Sequence, residues 1–206
     1  MANHYLSLDL RFVSLVTVVV TLIIFYSLTS QITWAALIFC QVGPSVCNGT
    51  SGPDIMYGIK NQVTHGLGGN DFIIGDLSGA NSIYGDDGDD TLLGGYYSDY
   101  MEGGAGNDKY DGYYGNDLIQ DVVSVHETSG DDVISGSYGD DAIYSGGGSD
   151  IIYGGPGSDG INPNFFDRRD FSRDFVDCGT QYDSVAVYLA DDWAGINCET
   201  IDNHDA

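Results

Sequence analysis

The chain is poor in positive charge. Only 6 of its 206 residues are Lys or Arg, against 31 Asp or Glu, for a formal net charge of -25. Such a surface repels phosphate backbones and anionic membranes, which excludes a role in binding either. Glutamate is scarce too, confined to Glu102, Glu127 and Glu199. With few Lys, Arg and Glu to cover exposed helical faces, and 30 glycines disfavouring helix, bundles and coiled coils are excluded. Common catalytic patterns are also missing. His126-Glu127 opens an H-E-x-x-H only if residue 130 is His, and it is Gly130. There is no G-x-S-x-G, no EF-hand loop, and no helix pattern after the glycine run at 146–148. The four histidines, at 4, 65, 126 and 204, are scattered. The chain is therefore expected not to be an enzyme.

One long apolar run is present, from Phe12 to Leu28. It follows Arg11, the only early cation, and precedes small residues at Ala35 and Ala36. That order is an export leader with cleavage after Thr33-Trp34-Ala35. A run of about 17 residues is also close to membrane-span length, so an uncleaved anchor is the alternative, and the only version with membrane contact. Both versions place the acidic part outside the cytoplasm, secreted or on the cell surface. Four cysteines follow: Cys40, Cys47, Cys178 and Cys198. An even number in an exported chain reads as disulfides, and three pairings are formally open. Cys40 with Cys47 and Cys178 with Cys198 is favoured, because these pairs flank the repetitive stretch and could lock its two ends. Zinc is disfavoured by the lack of a C-x-x-C or a nearby His.

Aligning the middle of the chain on Gly and Asp reveals a period of nine. Four units start without a gap at Gly85, Gly94, Gly103 and Gly112, with Asp90, Asp99, Asp108 and Asp117 at position six. After an interruption from Asp121 to His126, the phase resumes at Glu127 with Asp132, Asp141, Asp150 and Asp159. Upstream units carry Asp54 and Asp71, while the unit 76–84 has Asn81 in the acidic place and 58–65 reads as one eroded unit. Position eight of the clear units, from Met56 to Ile161, is always a large apolar or aromatic residue. One inward side chain flanked by two outward ones is a short strand, and the Gly-rich residues before it form a turn. Repeated every nine residues, strand and turn stack into a two-sheet solenoid with eighteen residues per coil. Stacking sets Asp90 beside Asp108, Asp99 beside Asp117, Asp132 beside Asp150 and Asp141 beside Asp159. Such rows repel unless a cation lies between them, and carboxylates with turn carbonyls suit Ca²⁺.

These units resemble the haemolysin-type (RTX) calcium-binding nonapeptide repeat, G-G-x-G-x-D-x-U-x. The resemblance covers about residues 49–162. It implies an all-β fold, a parallel β-roll (two-sheet β-solenoid), with Ca²⁺ between turns held by position-six aspartates and turn carbonyls. The implied ligands are Asp54, Asp71, Asp90, Asp99, Asp108, Asp117, Asp132, Asp141, Asp150 and Asp159. Asn81 and the eroded unit depart from the pattern, and the interruption at 121–126 must bulge out or split the roll. Many members of the family carry a C-terminal secretion signal and few cysteines, unlike this chain. The organisation expected is a leader or anchor over 1–35, an N-terminal cap over 36–48, the calcium-binding roll over 49–162, and degenerate repeats with a C-terminal cap over 163–206, the caps locked by disulfides. Few inward side chains and many carboxylates predict a metal-free chain that is largely disordered, so that binding is folding.

Beyond Ile161 the pattern decays, though Asp174 and Asp183 keep position six and Val176 and Val185 position eight. These read as calcium-poor final coils. Phe165, Phe166, Arg168, Arg169 and Arg173 form a patch against the general charge, either an interaction loop for an acidic or carbohydrate partner or a neutralising end of the roll. Tyr57, Tyr84, Tyr144 and Tyr153 recur at position nine, facing outward, where they either stack on glycans or shield the sheets. The sequence is read as an exported calcium-ion-binding β-roll protein with a structural or surface role. The alternative is an extracellular adhesion or polysaccharide-binding protein whose partner is a cell-surface polymer or glycan.

Overall fold

The computed structural model describes residues 35–41, 45–121, 130–163, 173–187, 193–194 and 197–203. The expected leader apart from Ala35, the interruption beyond Asp121, and Phe165, Phe166, Arg168 and Arg169 lie outside these residues. Among the described residues no helix is long and apolar enough to cross a membrane.

The strands, in chain order, are β1 (Ala36–Phe39), β2 (Val46–Asn48), β3 (Asp54–Tyr57), β4 (Val63–His65), β5 (Phe72–Ile74), β6 (Ser82–Asp87), β7 (Thr91–Gly95), β8 (Tyr100–Ala105) and β9 (Lys109–Tyr113). They continue as β10 (Leu118–Gln120), β11 (Val133–Ser135), β12 (Ala142–Tyr144), β13 (Ile151–Pro156), β14 (Gly160–Asn162), β15 (Phe175–Thr180), β16 (Ser184–Val187), β17 (Trp193–Ala194) and β18 (Thr200–Asn203). Odd strands form one nine-stranded sheet and even strands a second, each in sequential order and parallel throughout. The chain thus alternates between sheets at every turn, which is the two-sheet solenoid that the nine-residue period predicts.

Period-two alternation at each strand places position eight between the sheets. The column from Met56 to Val185 is no more than 3 % exposed, and the register stacks like on like: Ile73 on Leu92, Leu92 on Tyr110, Ile134 on Ile152. Burying each such side chain contributes about 1.5–3 kcal/mol. The column starts earlier than the clear repeats. Ile38 pairs with Met56, and Cys47 pairs with Thr64, so β1 and β2 stack on the roll in the same way as later strands. The eroded unit is also a full strand, β4, whose buried Thr64 fills position eight.

The interruption does not split the roll. Strand β10 pairs with both β8 and β12, and β11 with both β9 and β13. The decay after Ile161 is a second interruption: β13 pairs with β15 and β14 with β16, and successive position-six residues there lie 24 apart instead of 18. Turns are tight because position four holds glycine with positive φ, as at Gly88 (φ 140°) and Gly106 (φ 138°), where a β-carbon is disfavoured. Disulfides join Cys40 to Cys47 and Cys178 to Cys198, the pairing favoured from sequence.

Candidate metal-binding edges

Two rows of acidic residues run the length of the roll, one along each turn edge. On the edge leading into odd strands, the backbone N–H of Asp54, Asp71, Asp90, Asp108, Asp132 and Asp150 donates to Oδ1 of the aspartate one coil further on, at 2.7–2.9 Å. The row ends at Asp174. On the other edge Asn81, Asp99, Asp117, Asp141 and Asp159 do the same at 2.7–2.9 Å, ending at Asp183, whose N–H donates to Glu199 Oε2. All ten aspartates implied as ligands therefore lie in these rows, no more than 3 % exposed. Asp174 and Asp183 take the same place, so the final coils carry the same geometry as the clear repeats.

Each Oδ1 is thus satisfied by its neighbour, but the second oxygen is not. Oδ2 of Asp71, Asp90, Asp99, Asp108, Asp117, Asp132, Asp141, Asp159 and Asp183 is buried without a hydrogen-bond donor. Asp54 differs, because the Thr50 N–H donates to its Oδ2 at 2.6 Å. Position-one glycines show what surrounds these oxygens. A β-carbon at Gly136 would lie 2.5 Å from Asp141 Oδ2 and 2.7 Å from the Gly154 carbonyl oxygen; at Gly94 it would lie 2.8 Å from Asp99 Oδ2 and 2.6 Å from the Gly112 oxygen. A carboxylate and a main-chain carbonyl from the next coil therefore face the same small space, kept open by glycine. Among the described residues no three Asp, Glu, His or Cys side chains form a metal-holding group. A cation on these edges takes its remaining ligands from the main chain. Hard oxygens in this mixture fit Ca²⁺.

Electrostatics agree. Burial raises the carboxyl pKa of Asp71, Asp108 and Asp159 to about 7 and of Asp117 to about 8, with repulsion from neighbouring row members adding to it and the donated N–H opposing. Asp90 and Asp141 rise to about 6 for the same leading reason. Asp132 rises to about 11, by burial first and then by the charge of Asp121.

Asn81 shows what replaces a cation. Its Nδ2 donates to the carbonyls of Asp76 and Gly79 at 3.1 Å and to Asp99 Oδ1 at 2.8 Å, while Oδ1 accepts the Asp76 N–H at 2.9 Å. The amide plugs its own turn, which is why the departure from Asp is tolerated there.

Two groups escaped the sequence reading. Asp121, taken as the first residue of an interruption, is fully buried beside the Asp108–Asp132 step. Tyr96, Tyr97, Tyr113, Tyr114 and Tyr138 gather on the edge leading into even strands, each 40–52 % exposed. Their recurrence at turn positions two to four of alternate units was the signal available. The position-nine tyrosines instead pack across strands: Tyr57 on Phe39, Tyr84 on His65 and Tyr100, and Tyr153 against Phe175.

A parallel β-roll edged by rows of buried, half-satisfied carboxylates is a repeat fold suited to holding cations. The family model for the RTX calcium-binding nonapeptide repeat matches residues 65–95, 84–119 and 128–161, with four copies. The chain carries RTX calcium-binding repeats and is a calcium-binding β-roll protein. Among curated proteins, none was found to match it.

Proposed function

We propose that the chain is exported and folds outside the cytoplasm as calcium enters its two edges, serving a structural or surface role without a catalytic step. The observation that carries this reading is the repeated Oδ2 that is buried with no donor. Calcium would supply the neutralising charge and accept these oxygens as ligands. The chain's own groups prepare the edges: each Oδ1 ties one coil to the next, and each position-one glycine leaves room for the second oxygen. Export is supported by the leader-like N-terminus and by two disulfides, which persist in oxidising compartments. Expression of the full chain in a secreting host, with N-terminal sequencing and protease digestion, tests the reading. The expected product is extracytoplasmic and protease-resistant only with calcium; a cytoplasmic product equally resistant in chelator contradicts it.

A second reading, attachment to a neutral glycan, is favoured by the tyrosine ridge. Tyr114 and Tyr138 stack at 4.8 Å, and Tyr96 tilts against Tyr113 and Tyr114 at 5.3 and 5.6 Å. Tyr113 holds φ 72° at the second position of its turn, as Leu67, Asp86 and Ser137 do in other units, so the backbone there presents the side chain outward in a shape the repeat uses elsewhere. Five exposed tyrosines gathered on one edge point to use of that surface. A partner of strong negative charge is disfavoured by the net charge of -25. Binding to insoluble neutral polysaccharide in calcium should be lost when Tyr96, Tyr113, Tyr114 and Tyr138 become Ser with the fold intact; unchanged binding contradicts this reading.

A further inference from the structure

Asp121 stands where the repeat has glycine. On the edge leading into odd strands, position one is Gly49, Gly66, Gly85 and Gly103, and the next residue in the column is Asp121. Its backbone shows this, since the Asp121 N–H donates to the Tyr144 carbonyl at 2.7 Å as the Gly66 N–H does to Tyr84 at 2.9 Å. A side chain at position one projects into the space that glycine otherwise keeps open. Here that side chain is a carboxylate with 0 % exposure.

The carboxylate is held in a fixed orientation. Oδ1 accepts the Tyr110 hydroxyl at 2.7 Å and the Gly104 N–H at 3.0 Å. Tyr110 is the one tyrosine in the position-eight column, so its buried hydroxyl and Asp121 are matched to each other. Oδ2 of Asp121 has no hydrogen-bond donor, and neither has Oδ2 of Asp132. At the sibling positions a β-carbon on Gly66 would lie 2.2 Å from Asp71 Oδ2 and one on Gly85 2.3 Å from Asp90 Oδ2, so the side chain of Asp121 faces the acidic residue of its own unit, Asp132. Two buried acidic groups facing each other without a donor are costly to keep in place. A divalent cation with a preference for oxygen removes that cost, and glycine at 121 would never have incurred it.

We propose that Asp121 and Asp132 hold a calcium ion of their own, with Tyr110 as the positioning residue, at the coil where the repeat is interrupted. The proposal rests on the calcium reading above but adds a ligand outside the repeat's acidic position. It gives Asp121 a purpose: the added ion ties the residue that follows β10 to the residue that leads into β11.

Calcium bound per full-length chain, counted by native mass spectrometry and equilibrium dialysis, tests this in the parent, Asp121→Gly and Asp121→Asn. Asp121→Gly restores the repeat's own residue and Asp121→Asn keeps the shape, and circular dichroism in saturating calcium confirms that each is folded. The expected result is one ion fewer in both variants, with the remaining ions titrating as in the parent. Tyr110→Phe should keep the ion but bind it roughly tenfold more weakly. An unchanged ion count in Asp121→Gly and Asp121→Asn overturns the proposal while leaving calcium binding by the roll intact. A parent chain that binds no calcium overturns both.

Discussion

Asp117→Asn isolates the electrostatic part of the account, because the amide keeps the shape of the carboxylate and its Oδ1 acceptor. Asp117 is 2 % exposed, accepts the Asp99 N–H at 2.8 Å through Oδ1, and has no donor to Oδ2. Burial, then repulsion from Asp141 and Asp99, raises its pKa from 3.8 to about 8. Without a cation, folding at pH 7 requires uptake of a proton that the unfolded chain releases about three pH units lower, a cost of about 4 kcal/mol. The amide does not carry this cost, and Asn81 shows how its N–H groups can settle on turn carbonyls. With calcium the sign reverses, since losing one charged partner from a buried contact costs about 3–5 kcal/mol. Circular dichroism should therefore show more residual strand signal than the parent in chelator and a lower melting temperature in saturating calcium. Equal loss of stability in both conditions, or an unchanged response to calcium, would refute the reasoning.

The same pKa shifts set a pH dependence. Folded-state values of about 6 to 8 for Asp71, Asp90, Asp108, Asp117, Asp141 and Asp159 lie above the unfolded 3.8, so protons stabilise the metal-free fold. That contribution is complete below 3.8 and lost as pH rises through about 6 to 8; in chelator, strand signal should grow on acidification through this range. Gly136→Ala pushes a methyl to 2.5 Å from Asp141 Oδ2 and should lower calcium affinity and cost about 1–3 kcal/mol in a urea melt, whereas Gly52→Ala, with open space around it, should do neither. Leu92→Ala removes a fully buried column residue and should cost about 2–5 kcal/mol in the same melt with calcium present.

The roll was legible because position eight and position six obey one rule in every clear unit, so a single unit predicts the stack. Pairing of the cysteines followed from their places at either end of it. Thr64 hid a strand, since a buried hydroxyl breaks the apolar rule while the backbone keeps its register. The coils of Asp174 and Asp183 looked degenerate because they lack the paired glycines, although their rows continue without a break. Asp121 could not be recognised from spacing at all. Its role depends on Tyr110, eleven residues back and across the core, and on the column in which it replaces glycine.

The central claim is that calcium holds the two edges together. Titration of the chain with calcium at neutral pH, followed by far-ultraviolet circular dichroism with bound ions counted at each step, tests it most directly. Strand signal should appear as ions bind and vanish when they are chelated; a spectrum that is the same in calcium and in chelator would contradict the account.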